Sequence, residues 1–299
     1  MIYLSFTDFP PGWNCLNNLF SNALRSIFNE DICVVGPSEA DICFVTIYGK
    51  THLDVLSRYR AKSLLWLGEN VRPNKYNPAF SFSTDPYSYS NTNFRLPLWF
   101  LEIDWFGTGT GTASKKEVLD TLVNGNYTNI NPMHSRDFCV AIFNNPEGLR
   151  LELFTQLNQI SNVTGVGRPF GNQLDVSTNY KPKIPLIEKF KFNLCPENSL
   201  FPGYYTEKCF HAKLAGAIPI YFADSYVSLD FNVDSFLNAY DYKDTCDLMS
   251  TIKSLNQNPD LAGTLSRKPL LHCMPNLDSF LVFLRHAASS IFSNLVQKI

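Results

Sequence analysis

The sequence predicts an α/β protein of two domains, on three observations. The chain has 299 residues, which is enough for two domains of ordinary size. Short apolar runs alternate with segments of helical spacing in its N-terminal part. The stretch from Phe190 to Phe222 is typical of a strand, a loop, a helix and a second strand, and such a crossover implies parallel pairing. We place the domains at 1–134 and 135–299.

The N-terminal part of the sequence predicts alternating strands and helices. Its apolar runs predict strands, and its stretches of helical spacing predict helices between them. The predicted strands are Ile2–Phe6, Ile32–Val35, Ile42–Tyr48 and Ser63–Leu67, and the predicted helices are Trp13–Phe28 and His52–Tyr59. A segment poor in charge and rich in Asn, Thr and Pro, Asn124–His134, is our candidate linker. The final helix, Asp278–Gln297, is expected to pack in the core, with a return onto the first domain as one arrangement.

The stretch from Phe190 to Phe222 organises the C-terminal half. Phe190, Phe192 and Leu194 alternate with polar residues or cysteine, which predicts a strand with one apolar face. After a polar loop, the Thr206 hydroxyl is predicted to cap a helix by accepting a backbone N–H of the first turn. Gly216 is placed to end that helix, and the residues after it predict a second strand.

Such a unit has one end suited to function. The loop that leaves the first strand and the start of the helix face the same crevice, and the free N–H groups there attract anions. Lys208 adds a cation in the first turn, and the Glu207 carboxylate suits the hydroxyl groups of a ribose or a sugar. On spacing alone an equal interpretation remains, in which Glu207 is a favourable first-turn residue and Lys208 a solvated charge.

Two further positions point toward chemistry. Glu69 lies in a Gly-Glu-Asn segment directly after the strand Ser63–Leu67, at the strand end where sheets of this type place function. The alternative for Glu69 is a polar turn. Arg150 lies in the first turn of the predicted helix Leu149–Ile160, where a cation opposes the helix dipole and therefore invites an anion. The alternative for Arg150 is an exposed side chain.

Composition excludes several classes of protein. The chain is 45% hydrophobic and 17% charged, which favours a dense core over disorder, and its net charge of −2 argues against a general binder of nucleic acid or anionic membranes. The eight cysteines form no C-x-x-C pair, so we interpret most as reduced core residues, and the five histidines show no metal-ligand spacing. The N-terminus is not typical of a signal peptide, and no run is long enough to span a bilayer. We expect a cytoplasmic location, with peripheral contact at the inner membrane face as a variant.

Three segments in order, FKFNLCPENS, GYYTEK and AGAIPIYF, resemble the signature of the α-1,3-fucosyltransferases. The resemblance extends from about Ile42 to Phe236 and includes the Gly-Glu-Asn segment. Three positions depart from the family pattern: Pro196 replaces an aromatic residue, Tyr205 a valine and Ala223 a glycine. None of these changes removes a polar group, but they bear on the donor pocket and hence on which sugar it takes.

The resemblance implies the GT-B glycosyltransferase architecture, with two facing Rossmann-like domains. The donor is then expected on the C-terminal domain, and the acceptor on the N-terminal domain. It further implies an inverting transfer of L-fucose from GDP-fucose, as co-substrate and without a cofactor, to an N-acetylglucosamine or glucose unit of a glycan. No Asp-x-Asp metal motif occurs in the chain, so we expect no metal site, and cations and helix dipoles are expected to meet the leaving-group charge. The chain resembles the soluble bacterial members of the family, or a catalytic fragment.

The resemblance also assigns roles to individual residues. Glu69 is the candidate general base, and Arg150 and Lys208 are expected to stabilise the diphosphate. The full set of expected donor-binding residues is Arg150, Asn198, Tyr204, Thr206, Glu207 and Lys208, with Arg168 and Glu197 as additional candidates. Two alternatives stay open: a related inverting transferase with another nucleotide sugar, and an inactive homologue that binds a glycan or a nucleotide.

Overall fold

A computed structural model describes residues 1–128, 131–172 and 183–296 of the chain. Their contacts form two compact units, one made of Met1–Gly111 with the C-terminal residues from Pro275 onward, the other of Thr112–Met274. The boundary between the units therefore lies between residues 111 and 112, whereas the sequence predicts a domain boundary between residues 134 and 135. The segment Thr112–His134, which is described except for residues 129–130, belongs to the second unit.

The described residues form strands and helices with the following bounds. The strands are β1 (Ile2–Thr7), β2 (Ile32–Val34), β3 (Ile42–Val45), β4 (Ser63–Leu67), β5 (Phe80–Ser83), β6 (Asn93–Arg95), β7 (Ile103–Asp104), β8 (Ala113–Ser114), β9 (Asp137–Ile142), β10 (Val163–Val166), β11 (Phe190–Leu194), β12 (Ile218–Tyr221) and β13 (Leu237–Asn238). The helices are α1 (Leu19–Phe28), α2 (His52–Tyr59), α3 (Lys115–Glu117), α4 (Leu149–Ile160), α5 (Lys183–Ile187), α6 (Glu207–Leu214), α7 (Thr245–Gln257), α8 (Pro259–Ser266) and α9 (Leu277–Val296). Short 3-10 turns lie between several of them, and α3 continues as a π-helical segment, Val118–Val123.

The first unit is built on a parallel sheet with the strand order β2-β1-β3-β4-β5-β6. Every residue of β4 is buried, as expected for a strand in a parallel sheet that is covered on both faces. The core contains a set of phenylalanine rings, with Phe82 and Phe280 at a centroid distance of 5.4 Å. Because Phe280 belongs to α9, the last helix packs against the sheet formed by the N-terminal strands.

Helix α1 is shorter than its apolar spacing predicts. It begins at Leu19 rather than at Trp13, because the Asn18 side chain accepts hydrogen bonds from the backbone N–H groups of Phe20 and Ser21 and caps it there. Before that point the Asn14 side chain accepts from nearby backbone N–H groups and holds the chain in turns. The prediction of a helix from Trp13 was therefore wrong in its first six residues.

The second unit is built on a parallel sheet with the strand order β10-β9-β11-β12-β13. Strands β11 and β12 pair in parallel with α6 as the crossover, which confirms the predicted strand–loop–helix–strand unit. The predicted single apolar face of β11 needs correction, because the alternate residue Asn193 is also buried, 3% exposed, and donates to the Val140 carbonyl oxygen at 3.0 Å. Strand β11 is thus an interior strand, and its polar side chain is satisfied inside the sheet.

No helix among the described residues has both the length and the hydropathy needed to cross a membrane.

Candidate active site

Helix α6 is fixed at its C-terminal end by glycine, as predicted. Gly216 adopts a left-handed conformation (φ 66°), and its N–H donates to the Lys213 carbonyl oxygen at 2.9 Å. The next N–H, of Ala217, donates to the Ala212 carbonyl oxygen at 3.0 Å. These two bonds form a Schellman motif, which ends the helix and turns the chain directly into β12.

At the other end of α6, Thr206 occupies the cap position but does not cap. Its backbone is extended, and its side chain makes no capping hydrogen bond to the first turn. The hydroxyl instead bonds the Glu197 carboxylate, 2.9 Å away, and accepts from Lys208 Nζ at 2.7 Å. The prediction of a hydroxyl cap was wrong, because a buried carboxylate and an ammonium compete for the same hydroxyl group.

The Glu197 carboxylate gathers the residues at the start of α6. Glu197 is 4% exposed and lies in the loop that leaves β11. It accepts hydrogen bonds from the Thr206 N–H (2.8 Å), the Thr206 hydroxyl, Lys208 Nζ (2.9 Å) and the Tyr221 hydroxyl of β12. A carboxylate has about four lone-pair positions, so these donors occupy its hydrogen-bonding capacity. One buried side chain thereby joins the loop, the helix and the neighbouring strand.

Two cations flank the carboxylates of this end of α6. Lys208 Nζ is held by Glu197, and Lys183 Nζ of α5 lies 3.4 Å from Glu207 Oε1. Burial alone raises the pKa of Glu207, but the neighbouring Lys208, Lys183 and His211 bring that pKa well below its ordinary value. Burial likewise acts to lower the pKa of Lys208, yet Glu197 and Glu207 raise it above its ordinary value. Both side chains are therefore charged at neutral pH.

Arg150 of α4 reaches the same loop. Its Nη2 donates to the Pro196 carbonyl oxygen at 3.1 Å and to the Asn198 side chain, and its Nη1 donates to the Asn145 carbonyl oxygen at 2.9 Å. Arg150 is 3% exposed, and Nε is enclosed without a hydrogen-bond partner among the described residues. In this structure the guanidinium group therefore binds and orders the loop that carries Glu197.

The remaining predicted donor residues differ in exposure. Asn198 and Arg168 are exposed, and Arg168 follows β10 at the carboxyl edge of the sheet, where its N–H donates to the Asn144 side chain at 3.1 Å. Tyr204 is only 3% exposed, just before Thr206. Asn198 and Arg168 are thus able to meet a ligand directly, whereas Tyr204 and Thr206 shape the site from within.

The three departures from the family pattern are all buried. Pro196 is buried, Tyr205 is 1% exposed and Ala223 is 2% exposed. The Tyr205 hydroxyl donates to the carboxylate of Asp224, which directly follows Ala223. Two of the departures are therefore close in space, and none presents its side chain to solvent.

In the first unit, Glu69 lies where the sequence predicts it, just beyond the carboxyl end of β4. The side chain is partly buried. Gly68 before it is closely enclosed: a Cβ atom there would lie 2.7 Å from the Tyr48 hydroxyl and 2.9 Å from Leu98 Cδ2. A larger residue at position 68 would therefore require the side chains of Tyr48 and Leu98 to move.

Some residues of the site were missed from the sequence. Tyr221 reads as a core aromatic residue in an apolar strand, and nothing in the sequence pattern indicates that its hydroxyl binds Glu197. Lys183 and Asp224 were also missed, because their partners Glu207 and Tyr205 lie 24 and 19 residues away along the chain.

Two family models match the chain over most of its length. The model of the C-terminal part of glycosyltransferase family 10 (fucosyltransferase) matches residues 134–262, and the model of the N-terminal domain of the α-(1,3)-fucosyltransferase FucT matches residues 4–102. The first match contains the whole network around Glu197, and the second contains Glu69.

Two named relatives agree with these matches. The chain is 28% identical over 242 residues to the α-(1,3)-fucosyltransferase FucT of Helicobacter pylori, covering 74% of this chain and 49% of that protein. It is 31% identical over 133 residues to the human 4-galactosyl-N-acetylglucosaminide 3-α-L-fucosyltransferase 9, covering 44% of this chain and 36% of that protein. The chain thus spans about half the length of the bacterial relative and about a third of the human one.

Solved structures share the fold. A crystal structure of an α1,3-fucosyltransferase superposes with a TM-score of 0.74 at 24% identity, covering 96% of this chain and 90% of that one. A crystal structure of an α1,3-fucosyltransferase with GDP-fucose superposes with a TM-score of 0.68 at 22% identity and the same coverage. Anabaena HepE in complex with UDP-glucose gives 0.50 at 10% identity, covering 99% of this chain and 100% of that one.

A parallel sheet in each unit and these superpositions define a GT-B glycosyltransferase fold, as the sequence predicts. Within that class, the two family models together with the bacterial relative make the assignment specific: the chain belongs to glycosyltransferase family 10, the fucosyltransferase family.

Proposed function

We propose that this protein transfers L-fucose from GDP-fucose, with inversion, to a hydroxyl group on an N-acetylglucosamine or glucose unit of a glycan. One observation carries the proposal: Lys208 Nζ lies 2.9 Å from the buried Glu197 carboxylate at the start of α6, inside the segment that matches the family. An ammonium group beside unpaired helix N–H groups is suited to a diphosphate.

Similarity to named proteins supports the choice of donor and acceptor. The Helicobacter pylori relative is an α-(1,3)-fucosyltransferase, a related crystal structure contains GDP-fucose, and the name of the human relative describes transfer to a 4-galactosyl-N-acetylglucosaminide. The side chains of the three departures, Pro196, Tyr205 and Ala223, are buried, so they act on the donor pocket only from within.

The residues act on the donor as follows. Lys208 stabilises the departing diphosphate together with the start of α6. Asn198 and Glu207 position the ribose and the fucose through hydrogen bonds, and Tyr204 and Thr206 shape the pocket from their buried positions. Arg150 contributes its charge and orders the loop, and the exposed Arg168 is a further cation at the same edge of the sheet.

Glu69 acts on the acceptor as the general base. Its position after β4 is the strand end where α/β sheets carry functional groups, and its carboxylate takes the proton from the acceptor hydroxyl as that oxygen attacks the anomeric carbon. The bond between this carbon and the β-phosphate oxygen breaks at the same time, so the configuration inverts. We assign the charge stabilisation to cations and helix N–H groups without a metal ion, since the sequence has no Asp-x-Asp motif.

A donor panel tests this function. The full chain is incubated with GDP-fucose, GDP-mannose, UDP-galactose or UDP-N-acetylglucosamine and with N-acetyllactosamine, lactose or chitobiose, and products are identified by mass spectrometry and NMR. We expect transfer from GDP-fucose alone, giving an α-linked fucose. Transfer from another donor identifies a related transferase, and GDP binding with no transfer to any acceptor identifies an inactive homologue; either result contradicts the proposal.

A further inference from the structure

Glu197 lies in the candidate donor site, yet the surrounding protein occupies its carboxylate. The Thr206 N–H and hydroxyl, Lys208 Nζ and the Tyr221 hydroxyl all bond it, and it is 4% exposed. A carboxylate in that state has no capacity left for a sugar or a ribose hydroxyl. Glu197 must therefore affect the donor indirectly, by positioning the residues to which it is hydrogen-bonded.

Two lysines of α6 show what this carboxylate does. Lys213, five residues after Lys208, is fully buried, and its Nζ donates to the carbonyl oxygens of Ser266 (2.6 Å) and Leu265 (3.4 Å). No described carboxylate forms an ion pair with Lys213, and burial lowers the pKa of Lys213 to about 7. Lys208 is in contact with Glu197, and its pKa is raised instead. The two lysines thus differ in their partners: a carboxylate contacts Lys208, whereas carbonyl oxygens accept the hydrogen bonds of Lys213.

We propose that Glu197 is a positioning residue that keeps Lys208 charged and fixed at the start of α6 without contacting the donor itself. This inference rests on the proposed function, because it takes Lys208 as the group that meets the diphosphate.

Two other charges act on Lys208, in opposite directions. Glu207 on the same helix also raises the pKa of Lys208, although its own ion pair is with Lys183 at 3.4 Å, and Arg150 carries a like charge that acts to lower the pKa of Lys208. Glu197 contacts Lys208 Nζ directly, at 2.9 Å. The groups that act on Lys208 are Glu197 and Cys195 of the β11 loop, Arg150 of α4 and Glu207 of α6. Around them, Tyr221 of β12 and Cys209 of α6 act on Glu197, and Lys183 of α5 and His211 of α6 act on Glu207.

The decisive test compares GDP binding across pH. Calorimetry between pH 7 and 9 is applied to the wild type, Glu197→Gln and the double variant Glu197→Gln/Lys208→Arg. We expect the wild-type affinity to change by less than about threefold, and that of Glu197→Gln to fall by about tenfold or more as Lys208 loses its proton. The double variant should regain the flat profile, because arginine does not titrate in this range. The guanine base of GDP titrates in the same way in all three experiments, so its effect cancels when the pH profiles of the three proteins are compared.

A merely structural role predicts another pattern. Glu197→Gln would then bind GDP more weakly by the same factor at every pH, and Lys208→Arg would not restore the profile. Either result overturns the proposal. Glu117→Gln, which changes an exposed carboxylate of the same unit, is the matched control and should behave like the wild type.

A second measurement works even when Glu197→Gln does not fold. The titration of Lys208 in the wild type is followed by NMR of ¹³C-labelled lysine, with the signal assigned by its loss in Lys208→Arg. We expect Lys208 to titrate above the ordinary pKa of a lysine side chain, because Glu197 and Glu207 favour its charged form. Titration near that of Lys213 overturns the proposal. If Lys208→Gln leaves GDP affinity unchanged, the diphosphate assignment fails separately, while the NMR titration still tests the link to Glu197.

Discussion

Arg150 Nη2 lies 3.1 Å from the Pro196 carbonyl oxygen and donates a hydrogen bond to it, so a helix of the second unit holds the loop that precedes Glu197. The same guanidinium group also binds the Asn198 side chain and the Asn145 carbonyl oxygen. A planar group with several donors meets these separate acceptors at once, which a single ammonium group cannot do.

Arg150→Lys is therefore expected to weaken GDP binding by about tenfold although the charge is kept, because the fork of hydrogen bonds is lost. Calorimetry at neutral pH measures the change. Arg267→Lys is the control, since Arg267 is an exposed arginine of the same unit that has no part in the site, and it should shift the affinity by less than about twofold. Equal affinities of Arg150→Lys and the wild type would show that the loop keeps its structure without the guanidinium group.

Glu69→Gln is expected to lower the turnover number by at least about 100-fold, because an amide cannot take the proton from the acceptor. GDP affinity should stay within about twofold of the wild type, since donor binding is assigned to the other unit. Steady-state kinetics and calorimetry measure the two quantities on the same preparation. Glu39→Gln, an exposed carboxylate of the first unit, is the matched control. Full activity of Glu69→Gln would remove Glu69 as the base.

Tyr205→Phe is expected to lower the free energy of unfolding by about 1–3 kcal/mol, because the buried hydroxyl that donates to Asp224 is lost. The preference for GDP-fucose over GDP-mannose should not change, since Tyr205 is 1% exposed. Urea unfolding and competition kinetics measure the two effects. Tyr226→Phe, at a tyrosine that is 47% exposed, serves as the comparison and should leave both quantities unchanged. A changed donor preference in Tyr205→Phe would show that this departure tunes the pocket.

Lys213 makes the stability depend on pH. Burial lowers the pKa of Lys213 to about 7 in the folded protein, whereas its ordinary value is 10.5, so between these values the unfolded chain holds a proton that the folded chain lacks. The free energy of unfolding should therefore rise with pH relative to Lys213→Met, by up to about 1.4 kcal/mol per pH unit above pH 7. Unfolding of both proteins at pH 7, 8 and 9 tests this difference. A constant difference across that range would place the pKa of Lys213 in the folded protein above pH 9.

Chelation tests how the leaving-group charge is met. With Lys208, Arg150 and the start of α6 in that role, excess EDTA should leave the rate of fucose transfer within about twofold of the untreated enzyme. The rate is measured before and after dialysis against the chelator, and again after Mg²⁺ or Mn²⁺ is added. Loss of activity that either ion restores would contradict the assignment.

The sequence allowed the main features of the second unit to be predicted, because they depend on neighbouring residues. The strand β11, the position of Gly216 and the charged residues from Glu197 to Lys208 lie within one short segment. The bonds that give the segment its chemistry depend on residues that the chain brings from elsewhere. Tyr221 binds Glu197 only because β12 pairs with β11, and no local pattern shows that a strand tyrosine will donate to a loop carboxylate.

Two predictions failed because polar side chains compete with simple patterns. Thr206 has the position and the residue type of a cap, yet a carboxylate nine residues earlier takes its hydroxyl. The apolar spacing from Trp13 continues smoothly into α1, yet the Asn18 side chain starts the helix six residues later. In both cases periodicity shows which residues are buried, while hydrogen bonds to specific side chains decide where the helix begins.

The far end of α6 is clamped as well as the near one. Arg136, 5% exposed, donates through Nη1 to the Gly216 carbonyl oxygen at 2.9 Å, just where the Schellman motif closes the helix. Glu197 and Arg136 thus hold the two ends of α6, which is about 12 Å long, and these contacts oppose a shift of the helix along its axis. A library that randomises the residues around Lys208 to change donor specificity should therefore keep Arg136. Without its hydrogen bond at the C-terminal end, the whole helix could shift, and Lys208 would shift with it.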